Sequence, residues 1–153
     1  MSKVKTLVAC TSTGCIEYGP ERYKNLGIEI LRVRLRFNGK EYLEGLDLDP
    51  VKFYEELETI EDPKNNLPKT DMPKIEDIHA LFKKAIDNGY EEVIVVSISS
   101  GLGGTYNLIS LVAKEYEDKL KITVIDSKIT CFGEGLLAIM ALNLVNKGVP
   151  TEQ

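Results

Sequence analysis

Hydroxyl and glycine residues are concentrated in one short segment, SISSGLGGTYN, which covers residues 97–107. A run of apolar residues precedes it and apolar residues at helical spacing follow it, so the segment connects a buried strand to a helix. Ser99 and Ser100 stand where the strand should end, and Gly101 lets the backbone approach a ligand closely. Thr105 begins the helix, whose first N–H groups carry partial positive charge. This combination can bind an anion, either a carboxylate or a phosphate.

The same residues have a purely structural alternative, a tight strand-to-helix turn with a satisfied cap. Further hydroxyl groups follow the other predicted strands: Thr11 follows the first and Thr130 follows the last, while Thr70 lies in a loop before a helix. Because the carboxyl ends of parallel strands share one edge of a sheet, we expect these groups to converge. His79 falls on a helix face, which leaves a Ser-His-Asp arrangement without a histidine, so binding is favoured over catalysis.

Composition narrows the class of protein. The chain has 153 residues and is 43% hydrophobic, enough for one domain with a substantial core. Its 19 basic and 24 acidic residues are scattered, which argues against nucleic acid as a partner. No apolar run approaches the ~20 residues of a membrane span, so we expect a cytoplasmic protein without stable membrane insertion. Cys10, Cys15 and Cys131 form no disulfide or metal-binding pattern, and Cys10 and Cys15 are interpreted as packing residues.

The hydrophobic pattern predicts a single α/β domain over residues 1–153: a layered sheet of mostly parallel strands, with helices on both faces and a β-hairpin. Residues 31–37 alternate between apolar side chains and arginines, which predicts one half-buried strand, and Asn38 with Gly39 predicts a type I′ hairpin turn. We expect the arginines to pair across the hairpin with Glu41 or Glu44. An interaction module that docks through this hairpin is one alternative function. The other segments are predicted strands at 4–9, 93–98 and 122–125, with helices that begin after Asp49, near Pro73, at Thr105 and before Leu136.

Three motifs occur in a characteristic order: KTDMP, then SSGLGGTYN, then VIDSK about two dozen residues later. They resemble the TSQPS-like, SSGLSGTY and VxDS motifs of the DegV family of bacterial fatty-acid-binding proteins. The resemblance implies the N-terminal α/β domain of that family, with the C-terminal domain absent. It also implies a carrier that is not an enzyme and needs no cofactor or metal. Such a carrier binds a long-chain fatty acid by its carboxylate and presents it to a partner fatty-acid kinase for phospholipid synthesis.

Carried over by motif, the resemblance assigns the carboxylate to Thr70 and to one of Ser99 and Ser100, with Ser100 preferred. Gly101, Thr105 and Thr11 complete the implied site. The alternative from the residues alone is a domain that binds a phosphorylated metabolite at the Gly-rich loop.

Two departures from the family carry expectations of their own. The acid of the family's TDST motif is absent from VACTSTG, and Asp71 replaces a serine of TSQPS. The charge of Asp71 would oppose a carboxylate unless its side chain points away, and Asp71 either selects another head group or caps the next helix. Family members are nearly twice as long, so we expect an exposed apolar surface and self-association.

Overall fold

The computed structural model describes residues 4–152, so residues 1–3 and 153 of the predicted domain lie outside it. Strands of two sheets and a set of helices follow one another along this part of the chain. The strands are β1 (Thr6–Thr11), β2 (Glu29–Leu31), β3 (Arg34–Phe37), β4 (Lys40–Leu43), β5 (Lys69–Asp71), β6 (Glu92–Ser97) and β7 (Lys121–Asp126). The helices are α1 (Pro50–Glu58), α2 (Pro63–Asn66), α3 (Ile75–Asp87), α4 (Thr105–Ala113) and α5 (Phe132–Asn146).

The parallel sheet has the strand order β2-β1-β6-β7 and forms the centre of the molecule. Every pairing in it is parallel, with Leu7 opposite Val93 and Val93 opposite Ile122. One face packs on α3 and α4 around the fully buried Phe82, and the other packs on α5 around Ile139. Continuous apolar strands are typical of a sheet covered on both faces. The predicted layered α/β architecture is confirmed.

The second sheet, here called the side sheet, is antiparallel with the order β4-β3-β5. The prediction of one strand over residues 31–37 is wrong at this point, because the segment is shared between the two sheets. Leu31 ends β2 in the parallel sheet, whereas Arg34 begins β3. Between them the Val33 N–H donates to the Ser12 hydroxyl at 3.0 Å instead of to a neighbouring strand. That side-chain acceptor lets the chain leave one sheet and enter the other.

The hairpin forms as predicted, with positive φ at both Asn38 and Gly39. Cross-hairpin pairing holds for Arg34, which lies 2.8 Å from Glu41. It is wrong for Arg36, and Arg32 contacts Glu44 only at the Glu44 main-chain carbonyl oxygen, at 2.7 Å. The carboxylate partner of Arg32 is Glu17, in the loop after β1, and that of Arg36 is Asp71 of β5.

Helix α1 begins as predicted, since the Asp49 carboxylate accepts a hydrogen bond from the Lys52 N–H at 3.0 Å. The helix is largely exposed, since Val51 and Tyr54 are about two-thirds exposed and no residue of α1 is buried. The helix packs beside the side sheet and leaves a cavity between them. Among residues 4–152, no helix combines the length and apolar character needed to cross a bilayer.

Candidate ligand-binding site

Polar groups from three neighbouring strands meet at the carboxyl edge of the parallel sheet. The Ile98 N–H, just after β6, donates to the Thr11 hydroxyl at the end of β1, at 3.2 Å. The Ser100 N–H donates to Asp126, at the end of β7, at 3.0 Å. The ends of β1, β6 and β7 therefore meet, and we call Thr11, Ser99, Ser100 and Asp126 the hydroxyl edge. Thr70, which was expected at the same edge, lies in β5 of the side sheet instead.

The Ser100 hydroxyl is engaged within the protein. It donates to the Asp126 carboxylate, which also lies 2.6 Å from the Lys128 ammonium group. The hydrogen bonds from Lys128 and Ser100 hold the pKa of Asp126 well below its usual range. A serine hydroxyl has a single hydrogen, so Ser100 cannot donate to a ligand while it donates to Asp126.

Ser99 is arranged differently from its neighbour. Its hydroxyl oxygen accepts a hydrogen bond from the exposed Gly101 N–H at 3.2 Å, an arrangement that leaves the hydroxyl hydrogen for another acceptor. Thr105 is buried in the first turn of α4, behind Gly104, which provides no side-chain cap. Of the residues proposed from the SSGLGGT motif, Ser99 and Gly101 are the best placed to reach a ligand.

A buried carboxyl group, Glu134, lies beneath the hydroxyl edge. Thr11 donates to one of its oxygens and Thr13 donates to the other at 2.7 Å. The side chain is fully buried, and this burial raises the pKa of Glu134 to about 7. Gly135 beside it is required by close packing, because a Cβ there would overlap the carbonyl oxygen of Gly14. The Thr11 hydroxyl is therefore buried and hydrogen-bonded within the protein, and it does not face a ligand.

Sequence reasoning missed both acids of this region. Glu134, in α5, places an acidic side chain next to the loop after β1. This is the loop in which the acid of the TDST motif is absent from the sequence. The signal for Glu134 was a single acidic residue between two glycines at the start of an otherwise apolar helix. Asp126 belongs to the VIDSK motif itself, where it ends the predicted last strand.

An apolar cavity of about 520 Å³ lies between the side sheet, α1 and the first loop. Thr70 lines it from β5, opposite Leu35 in the strand pairing. Glu44 also lines the cavity and accepts a hydrogen bond from the Ser12 hydroxyl at 2.6 Å, which ties this wall to the loop after β1. The remaining lining is mainly apolar or aromatic, including Val33, Leu48, Pro50, Phe53 and Tyr54.

The strand that carries Thr70 also reaches the Gly-rich loop. A Cβ added to Gly104 would lie 2.9 Å from the sulfur of Met72, so Met72 packs on the start of α4. Thr70 is two residues earlier in the chain, about 7 Å along an extended strand. The structure thus brings the KTDMP and SSGLGGTYN motifs side by side.

Asp71 forms an ion pair with Arg36 of β3, and the hydrogen bond from Arg36 lowers the pKa of Asp71. Consecutive strand residues point to opposite faces, so Asp71 and Thr70 are directed away from each other. The expected capping role is wrong, because α3 begins after Lys74 and has no side-chain cap. His79 packs against Tyr116, with a 2.7 Å contact between Nδ1 and the phenol oxygen.

Fold and site together define a class: layered α/β proteins in which polar groups collect at the carboxyl edge of a parallel sheet, next to an apolar cavity. In residues 4–152, no group of three or more His, Cys, Asp or Glu side chains is arranged to hold a metal ion. The chain belongs to the DegV family, whose sequence model, described as an uncharacterised protein family, matches residues 5–153.

Individual relatives agree with this assignment. A DegV domain-containing protein of Clostridium acetobutylicum is 33% identical over 117 residues, which cover 76% of this chain and 39% of the relative. A fatty acid binding DegV family protein from Streptococcus agalactiae superimposes with a TM-score of 0.84 at 26% identity, over 97% of this chain and 50% of that one. A stearic-acid-binding protein from Eubacterium ventriosum gives 0.78 at 26% identity, over 100% and 50%. The chain thus spans half or less of the length of these proteins.

Proposed function

We propose that the chain is a cytoplasmic lipid-binding carrier that holds a long-chain fatty acid by its carboxylate. The observation that carries the proposal is the apolar cavity of about 520 Å³ with Thr70 in its wall, two residues before Met72, which packs on the Gly-rich loop at Gly104. Cavities of about 300–1,000 Å³ with few polar groups are typical of small-molecule sites. The fatty-acid-binding proteins to which the chain is similar support the choice of ligand.

The hydrogen bonds favour a specific arrangement of the head group. Thr70 and Ser99 donate their hydroxyl hydrogens to the carboxylate, and the Gly101 region supplies the neighbouring backbone. Ser100 holds the loop through Asp126 and does not bind the ligand directly. The acyl chain enters the cavity, where each buried methylene contributes about 0.8 kcal/mol.

The first experiment is native mass spectrometry of the purified chain, followed by titration with stearic acid. Thr70→Val and Ser99→Ala should each weaken binding about ten-fold, because each removes a hydrogen bond to a charged group. Ser110→Ala, in the middle of α4, is the matched control and should bind like the wild type. A Ser99→Ala variant with unchanged affinity, beside a weakened Ser100→Ala variant, would reverse the assignment of the two serines.

The same titration distinguishes a fatty acid from the alternative ligand, a phosphorylated metabolite. A phosphorylated metabolite at the start of α4 would compete with millimolar phosphate and would not depend on acyl chain length. A fatty acid should bind more tightly as its chain lengthens and should be indifferent to phosphate. Competition by phosphate would contradict the lipid proposal.

We propose that the bound fatty acid is presented to a partner fatty-acid kinase and that the chain performs no chemistry on it. The resemblance to the DegV family supports this role. The chain incubated with stearic acid and ATP should leave both unchanged, whereas addition of a bacterial fatty-acid kinase should yield an acyl phosphate. Turnover by the chain alone would contradict the carrier role.

Self-association is proposed through α5, where four apolar side chains are between 36% and 52% exposed: Leu136, Leu137, Met140 and Leu144. Apolar patches of this kind mark interaction surfaces. Sedimentation should show a concentration-dependent dimer that is insensitive to salt, and Met140→Glu should abolish it. A strictly monomeric wild type at high concentration would contradict this proposal.

A further inference from the structure

Two of the three cysteines lie where the loop after β1 packs on the start of α5. Cys15 separates the turns Ser12–Gly14 and Ile16–Tyr18, and Cys131 immediately precedes α5. The packing around them is close: an added Cβ on Gly14 would lie 3.1 Å from the nitrogen of Gly135. The Thr13 hydroxyl also bonds Glu134 at 2.7 Å. The Cys15 thiol donates to the Thr13 carbonyl oxygen at 3.4 Å, and an added Cβ on Gly19 would lie 2.8 Å from the ring of Phe132, so the segments that carry Cys15 and Cys131 face each other. The Cys131 thiol is one of the groups that, after burial, raise the pKa of Cys15.

The three thiols differ in their access to solvent. Cys131 is exposed, Cys15 is half-buried and Cys10 is fully buried. Burial raises the pKa of the Cys10 thiol, and burial also raises the pKa of Cys15 to about 11. Because Cys131 is the exposed thiol, a dissolved oxidant reaches it first. Cys15 is the nearby thiol that can then react with the oxidised Cys131.

The backbone at Cys131 is also unusual. Its φ of 57° and ψ of −152° lie in a region populated almost only by glycine. A cysteine held there is strained by its own Cβ, and such strain is found at functional positions. The sequence-based interpretation of Cys15 as an inert packing residue does not account for a second thiol in this position.

We propose that Cys15 and Cys131 form a reversible intramolecular disulfide when the protein meets a peroxide. The Cys131 sulfur attacks one oxygen of hydrogen peroxide, the O–O bond breaks, and a sulfenic acid and one water result. The Cys15 sulfur then attacks the Cys131 sulfur, the S–S bond forms and the hydroxyl group leaves as a second water. Two thiols are oxidised and one peroxide is reduced to two waters, and a dithiol reductant reverses the reaction.

The disulfide would connect the wall of the cavity to the start of α5. Cys15 lines the cavity, and the bond would close most of the chain into one loop. A cross-link over so long a loop restricts the unfolded chain and raises the melting temperature. Neither effect needs a bound fatty acid, so the proposal stands apart from the proposed function.

The test oxidises the reduced, purified chain with hydrogen peroxide and blocks free thiols with an alkylating reagent. The expected product is a monomer that has lost two hydrogen atoms and melts at a higher temperature, with both changes reversed by dithiothreitol. Trypsin should release peptide 6–22 linked to peptide 129–147. Cys10 provides an internal control, since its thiol should become alkylated only after unfolding.

Cys15→Ser and Cys131→Ser should each lose the linked peptides and the rise in melting temperature. Melting curves of the reduced variants show that they are folded, and Cys131→Gly, which removes the strained Cβ, is a second variant that should fold and not cross-link. Linked peptides that persist in Cys15→Ser would assign the bond to Cys10 and overturn the proposal. Disulfide-linked dimers, or a sulfinic acid at Cys131 with Cys15 still alkylated, would overturn it as well.

Discussion

The two sheets of this protein are stabilised in different ways. In the parallel sheet, β1 and β6 are runs of buried residues covered by helices on both faces. In the side sheet, Phe37 is the one buried residue among the described strands β3, β4 and β5, and ion pairs of Arg34 and Arg36 join its parts. Dense packing is thus found around the parallel sheet, whereas the open apolar cavity lies beside the side sheet of the same domain.

This difference indicates where a ligand should change the protein. Regions with few buried contacts open most readily, and a ligand stabilises the state to which it binds. The side sheet and α1 should therefore gain protection from hydrogen exchange when a fatty acid fills the cavity, whereas β1 and β6 should change little. The predictions below test this contrast.

The largest expected effect comes from truncating matched aromatic residues in the two regions. Phe82→Ala removes a fully buried ring from the core of the parallel sheet and should lower the free energy of unfolding by about 3–5 kcal/mol. Phe53 is half-buried in α1, where its ring lies 5.5 Å from that of Phe37, and Phe53→Ala should cost about 1 kcal/mol. Urea unfolding measures both. Equal losses would show that the cavity region is as tightly packed as the core.

The second effect is a pH dependence of the free energy of unfolding, which comes from Glu134 beneath the hydroxyl edge. The folded-state pKa of Glu134 is about 7, against an ordinary value of 4.5, so the folded chain keeps a proton that the unfolded chain releases. The stability from this group is complete below pH 4.5 and is lost as the pH rises to 7, by up to about 3 kcal/mol. Glu134→Gln should remove this slope and be the more stable protein above pH 7. A slope that persists in Glu134→Gln would assign it to another group.

A smaller effect is expected at the cap of α1. Asp49→Ala removes the acceptor for the Lys52 N–H and should cost about 1 kcal/mol. Because α1 forms one wall of the cavity, its amide hydrogens should exchange faster while those of β6 stay protected. Asp49→Ser keeps an oxygen in the cap and is the matched control. Faster exchange throughout the protein would mean that α1 unfolds together with the core.

The parallel sheet was predictable because periodicity and turn residues specify it locally. Apolar runs identified β1, β6 and β7, and the Asn38–Gly39 turn identified the hairpin. The division of residues 31–37 between two sheets was not predictable, since it depends on Ser12, a side chain from a distant loop that accepts the Val33 N–H. A pattern in one segment does not reveal which hydrogen-bond partner another segment will offer.

The candidate site shows the same limit. The motifs selected Thr70, Ser99 and Ser100, but the sequence could not distinguish the two serines. That distinction depends on Asp126, which binds the Ser100 hydroxyl through a contact between neighbouring strand ends. Glu134 was missed for a related reason, because its partners lie 121 and 123 residues away in the chain.

The smallest expected effect concerns Asp71, the charged residue that follows Thr70 in β5. Asp71 lies on the opposite side of β5 and is paired with Arg36 at the surface, so Asp71→Asn should leave both the urea midpoint and the affinity for stearic acid unchanged. Thr70→Val, one residue away, should weaken binding. An affinity that rises in Asp71→Asn would mean that the charge reaches the head group across the strand. In that case the two faces of β5 would act as a single electrostatic surface, and the side sheet would select against anionic ligands as well as enclose their apolar chains.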